Sequence, residues 1–153
     1  NTPSVIALSR QKLPFVTETL TQKNMSALGA YEIKKNENHE IILIASGSEV
    51  QIAIKAYNKL KDLNINSKVV SMPCQELFNS QSKEYKEKIL GKNSLKISIE
   101  ASSIYGWEKY VGEKGSSIGM KSFGKSAPIK DLYECFDLTS NNVVKLATKM
   151  LGK

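Results

Sequence analysis

At 153 residues the chain is long enough for one domain with a sizeable core, and its 41% hydrophobic and 24% charged residues exclude a disordered polymer. No apolar run approaches the roughly 20 residues of a membrane-spanning helix, so a helical membrane protein is excluded as well. The net charge of +7 falls in mixed-sign stretches such as Lys83-Glu84-Tyr85-Lys86-Glu87-Lys88, and Arg10 is the only arginine, a balance that favours solubility over nucleic-acid recognition.

Residues 1–24 differ in character from the rest of the chain. Asn1-Thr2-Pro3 carries no basic-then-apolar secretion signal. Ser4 to Ser9 reads as a strand stopped at Leu13-Pro14, and Thr17 to Asn24 reads as a linker. One strand makes no domain, so residues 1–24 are expected to be the end of a preceding domain, with an α/β domain in 25–153. Gly29 to Lys35 offers a short strand or arm. Ile41 to Ala45 is an unbroken apolar run, the pattern of a parallel strand covered on both faces, and is expected in mid-sheet. Ser48 with Gln51 three positions on reads as a capping box, opening a helix whose apolar face is Val50, Ala53, Ile54, Tyr57 and Leu60. Lys68 to Ser71 then closes a βαβ unit.

Glu76 to Leu90 predicts a short helix and a longer charged one halted at Gly91, and Leu95, Ile97 and Ile99 alternate as a strand running into Glu100-Ala101-Ser102. Ile104 to Val111 reads as helix. Ser117 to Met120 predicts a strand near an edge, followed by a turn over Phe123 to Pro128 that Phe123 can anchor. Helices over Ile129 to Phe136 and beyond a cap at Thr139 or Ser140 finish the chain. The alternation predicts a three-layer α/β/α sandwich on a mostly parallel sheet of about five strands.

The residues themselves expose little chemistry. A phosphate cradle at Gly47-Ser48 is opposed by the negative charge of Glu49, and one glycine is too few for a P-loop or dinucleotide fingerprint. Glu100 ends a strand, where open α/β sheets place ligands, but nothing in the spacing pairs it with Glu108. Trp107 and Tyr110 read as packing. Cys74 and Cys135 form no metal or disulfide framework and read as small buried or half-buried side chains of a reducing compartment; His39 reads as a surface-loop residue. No nucleophile with a paired base is visible, and no metal or cofactor ligand set.

Several segments, in order, resemble the transketolases. Ser9-Arg10-Gln11-Lys12-Leu13-Pro14 is similar to the Ser-Arg-Gln-Asn-Leu-Pro segment that ends their middle, pyrimidine-binding domain. Ala45-Ser46-Gly47-Ser48-Glu49-Val50 and Val70-Ser71-Met72-Pro73 resemble the start of their C-terminal domain. Most specific are Trp107-x-Lys109-Tyr110-Val111-Gly112, Gly119-Met120-x-x-Phe123-Gly124-x-Ser126-Ala127-Pro128 and Asn142-Val143-Val144. Lys12, Cys74 and Asp137 depart from the family's usual residues.

The resemblance implies a cytoplasmic, homodimeric enzyme that uses thiamine diphosphate and a divalent cation, Mg or Ca, to move a two-carbon ketol unit from a ketose phosphate to an aldose phosphate. It implies that cofactor, metal and catalytic groups lie in domains outside this sequence, so that this segment supports the dimer and is inactive alone. One residue carries over: Arg10 resembles the arginine that holds the substrate phosphate, the other reading being an ion pair at a strand end. Two rivals stand beside this. A related thiamine enzyme, such as deoxyxylulose-phosphate synthase or a 2-oxoacid dehydrogenase β-chain, shares the fold but is expected to lack the Gly119 to Pro128 run. A free-standing α/β binding or regulatory domain is expected to bind a ligand by itself.

Overall fold

The computed structural model describes residues 3–16 and 24–153. Among these residues five strands form one sheet: β1 (Tyr31–Lys34), β2 (Ile41–Ala45), β3 (Ser67–Ser71), β4 (Leu95–Ser103) and β5 (Ser116–Met120), in the order β1-β3-β2-β4-β5. β2, β3, β4 and β5 are parallel, and β1 closes one edge antiparallel to β3. The unalternating run is the middle strand, as expected, and all five of its residues are buried. Period-2 geometry explains why no polar residue interrupts it: Ile41, Leu43 and Ala45 enter the core on one face, Ile42 and Ile44 the core on the other.

Among the described residues six α-helices supply the outer layers: α1 (Val50–Asp62), α2 (Gln75–Asn79), α3 (Lys83–Leu90), α4 (Glu108–Val111), α5 (Ile129–Cys135) and α6 (Ser140–Leu151). On one face α1 buries Val50, Ile52, Ala53, Ala56 and Leu60 together with Val143 and Ala147 of α6, and Tyr133 of α5 packs at its margin. On the other face Phe78 of α2, Ile89 of α3 and Tyr110 of α4 join Trp107 over Ile42, Ile44 and Val70. Trp107 and Tyr110 are therefore core residues, their rings meeting edge-on at 5.8 Å. None of the described helices is long and apolar enough to cross a membrane.

Local signals account for most boundaries. Thr139 caps α6, its hydroxyl accepting from the Asn142 amide at 3.2 Å, and Ser82 caps α3 by accepting from Tyr85 at 3.2 Å. Gly29 is fixed by space and conformation together. Its φ is +78°, and a Cβ there would lie 2.1 Å from the Phe78 amide nitrogen and 2.5 Å from the Cys74 carbonyl oxygen, so only glycine lets the lead-in to β1 lie against α2.

Several expectations are corrected. Ser4 to Ser9 forms no strand; the segment is extended and exposed, belongs to no sheet among the described residues, and carries Val5 98% exposed. Strand conformation needs a neighbouring ladder, which the five-stranded sheet does not offer it. Ser48 is not a helix cap: residues Gly47–Glu49 form a 3-10 turn before α1, and the Ser48 hydroxyl instead donates to Glu49 Oε1 at 2.7 Å. The predicted helix from Ile104 shortens to Glu108–Val111, because β4 runs on to Ser103 and Gly106 takes φ +88°. Phe123 anchors nothing; it is 95% exposed beyond the edge strand, where no layer covers it. Cys135 is exposed, with Lys125 Nζ 3.2 Å from its sulfur, while Cys74 is half-buried. His39 is half-buried, its ring nitrogens meeting the Asn36 carbonyl at 2.7 Å and Ser94 Oγ at 3.1 Å. The expected linker over Thr17 to Asn24 lies, apart from Asn24, outside the described residues.

Candidate functional site

The chain leaves β2 through α1 to reach β3 on one side, then returns through α2 and α3 to reach β4 on the other. The first crossover covers one face and the second covers the opposite face. The carboxyl ends of β2 and β4 are thus a topological switch point, where open α/β sheets leave a crevice. The residues placed there are polar. Ala45 pairs with Ile99, which sets Ser46, just past β2, beside Glu100 of β4. Ser46 Oγ donates to Glu100 Oε2 at 3.4 Å. The ladder between β4 and β5 is irregular from Glu100 to Ser103, a bulge that bends the strand end at this point.

The turn after β2 directs Glu49 inward. Gly47 has φ +49°, a left-handed conformation that starts the 3-10 turn, and Glu49 ends it with its side chain only 4% exposed. Glu49 Oε1 accepts from the Ser48 hydroxyl at 2.7 Å and from the Tyr133 hydroxyl at 2.9 Å. The Tyr133 oxygen in turn accepts from Gln11 Nε2 at 3.3 Å. A chain of hydrogen bonds therefore joins the N-terminal segment, α5 and the β2–α1 turn.

Burial pushes the Glu100 carboxyl above the ordinary range, and the nearby Glu49 charge adds to that, against hydrogen bonds from Trp107 and Ser46. Burial likewise raises the Tyr133 phenol, so the hydroxyl keeps its proton and can donate it toward Glu49. Two carboxylates beside one turn oppose a bound anion there, and neither is set against a nucleophile. Glu100 is paired in space with Glu49, not with Glu108, which is exposed on α4. Among the described residues no three His, Cys, Asp or Glu side chains converge on a metal position.

Arg10 is exposed, at a bend, next to the half-buried Gln11. Its segment is held against the body by the Gln11–Tyr133 bond and by Val16, which packs on the α1/α6 core. Sequence reasoning missed Gln11, Glu49 and Tyr133 as a set. Separations of 84 and 122 residues leave no periodic signal to find them by.

Comparison with known proteins places this architecture. The family described as the transketolase-like TK C-terminal domain matches residues 29–139. A transketolase of Sinorhizobium medicae is 45% identical over 155 residues, which takes in 100% of this chain and 22% of that protein. A chloroplastic transketolase of Solanum tuberosum is 43% identical, over 97% of this chain and 20% of the relative. Among solved structures, a transketolase of Pichia stipitis in complex with sedoheptulose-7-phosphate matches with a TM-score of 0.84 and 32% identity, over 94% of this chain and 20% of that one. A transketolase of Leishmania mexicana matches with a TM-score of 0.77 and 37% identity, over 82% and 18%. The chain spans about a fifth of the length of the relatives it matches. With the family matched over residues 29–139, a transketolase 45% identical across the whole chain and a transketolase structure superposing with a TM-score of 0.84, the chain belongs to the transketolase family, as its C-terminal domain.

Proposed function

We propose that this chain works as the C-terminal part of a transketolase, which moves a two-carbon ketol unit from a ketose phosphate to an aldose phosphate. Residues 1–24 then close the pyrimidine-binding domain, residues 25–153 form the C-terminal domain, and the enzyme acts as a homodimer. The observation that carries the reading is Arg10, exposed in a Ser-Arg-Gln-x-Leu-Pro segment and tethered through the next residue to the body. A guanidinium presents paired N–H groups to two phosphate oxygens at once, so it holds the charged end of a sugar phosphate in a fixed orientation while the other end reacts. A related transketolase, that of Pichia stipitis, has been solved with a sugar phosphate bound, which supports this substrate class. The exposed apolar side chains Val5, Ile6, Leu8 and Phe15 suit burial against other parts of such an enzyme.

The family's thiamine diphosphate and divalent cation, Mg or Ca, supply the carbanion chemistry when bound. The described residues of this chain do not fit that site, since no metal-ligating cluster is present among them and the Glu49 carboxylate is occupied by two hydroxyl donors. In this reading the cofactor and the cation belong to the preceding domains, as the family resemblance implies, and this segment supplies the phosphate grip and a bracing role.

Steady-state kinetics of the complete enzyme test the reading. Arg10→Ala is expected to lower kcat/KM for a ketose phosphate by about 1.5–3 kcal/mol of transition-state stabilisation, roughly 10- to 150-fold, and to leave the unphosphorylated ketose nearly unaffected. Equal efficiency of variant and parent on the ketose phosphate would overturn it.

A further inference from the structure

We propose that Tyr133 is a positioning residue for Arg10: oriented by the buried Glu49 carboxylate, its hydroxyl clasps Gln11 and sets where the neighbouring guanidinium stands. The proposal rests on the reading of Arg10 as the phosphate-binding residue. Its geometry is a relay of three bonds that share two oxygens. Glu49 Oε1 receives Ser48 Oγ at 2.7 Å and Tyr133 Oη at 2.9 Å, and Tyr133 Oη receives Gln11 Nε2 at 3.3 Å.

The direction of the relay is fixed by chemistry. Glu49 is almost wholly buried, and its Oε1 accepts from both the Ser48 and the Tyr133 hydroxyls, so the phenol proton points to it. The phenol oxygen is then left with its lone pairs outward, toward the Gln11 amide, and donation to a carboxylate makes it a better acceptor. Tyr133 is anchored beyond this bond, because its ring packs at the margin of the α1/α6 core. Gln11 therefore meets a stationary acceptor. Consecutive Cα atoms stand about 3.8 Å apart across a trans peptide, so holding Gln11 confines Arg10 to one residue's reach of a fixed point. Val16, packed on the same core, holds the segment from its other side. The consequence is a guanidinium that is pre-positioned although its own side chain is exposed, which reduces the ordering that phosphate binding would otherwise require.

The experiment uses the complete enzyme carrying this segment and compares a ketose phosphate with the same ketose lacking phosphate. Tyr133→Phe keeps the ring and removes only the hydroxyl; Gln11→Ala removes the other partner from a half-buried site. Each is expected to raise KM for the ketose phosphate about 3- to 10-fold, the worth of one hydrogen bond, with kcat and the KM for the unphosphorylated ketose unchanged. The double variant is expected to do no more than the larger single change, because both substitutions break one contact. Arg10→Ala is the control. In its background Tyr133→Phe should have no further effect on the ketose phosphate. An equal change for both ketoses, or no change for the ketose phosphate, overturns the positioning role. If Arg10→Ala lowers phosphate discrimination and Tyr133→Phe leaves it unchanged, the positioning role alone falls. If Arg10→Ala also leaves discrimination intact, the phosphate reading falls and the relay falls with it.

Discussion

Glu100 is a carboxylate whose surroundings favour its protonated form. Burial raises its pKa above the ordinary 4.5, and Glu49 nearby raises it further. In the folded chain Glu100 holds its proton more tightly than in the unfolded chain, so its contribution to stability is fully present below pH 4.5 and is lost as pH rises through the folded value. Glu100→Gln keeps an acceptor for Ser46 and removes the charge. It is expected to melt at a higher temperature than the parent at pH 7, with the difference fading as pH falls below about 4.5. Thermal unfolding followed by circular dichroism across roughly pH 4 to 8 checks this, and a variant that is less stable than the parent at neutral pH would contradict it. The amino-terminal ends of β3 and β4, at the far end of the sheet from Glu100, hold two buried lysines. Lys68 is buried and bonded both to Glu32 at 3.0 Å and to the Lys88 carbonyl at 3.1 Å. Lys96, on the other side of Ile42, has its pKa lowered by burial and then by the Lys68 charge. The first lysine is compensated by a carboxylate, and the second reaches the Ser94 carbonyl at 2.8 Å.

At the scale of elements, α6 shows how a short signal places a long surface. Thr139 accepts from the Asn142 amide, which starts the helix so that Val143 and Ala147 turn into the core beside α1. Thr139→Ala is expected to cost about 1 kcal/mol, read as a lower urea midpoint at unchanged slope. A changed slope would mean that the helix had detached and not merely lost its cap. The same type of signal misleads at Ser48. A serine three residues before a glutamine satisfies the capping pattern, but Gly47 opens a 3-10 turn that shifts the helix start to Val50 and commits the serine hydroxyl to Glu49. Local pattern reading cannot separate these outcomes, because the competing partner is a side chain whose burial depends on the packing of α5.

At the scale of the whole molecule, the sheet grades from protected centre to exposed edge. β2 is paired on both sides and covered on both faces, whereas β5 is the outer strand, beside the shallow groove lined by Ser117, Lys121 and Asn142. Native-state hydrogen exchange is expected to show β2 amides opening only with global unfolding, at the free energy given by denaturant, and β5 amides opening earlier. Uniform protection across both strands would refute that gradient.

The sequence alone determined the layered architecture, the middle strand and the helices of both faces. An unalternating run such as Ile41 to Ala45 admits one stable burial, covered on both faces, so the hydrophobic pattern is enough there; the alternation of Leu95 to Ile99 marks a strand, but its polar Lys96 and Ser98 are buried too, which only the second covering layer decides. The sequence also carried the family resemblance through Trp107 to Gly112 and Gly119 to Pro128. Tertiary structure alone decided that Ser4 to Ser9 joins no strand of this sheet, that Phe123 is exposed, and that Gln11, Glu49 and Tyr133 meet. Those outcomes depend on which distant groups the fold brings within hydrogen-bonding distance, and no spacing along the chain encodes a contact between residues 122 positions apart.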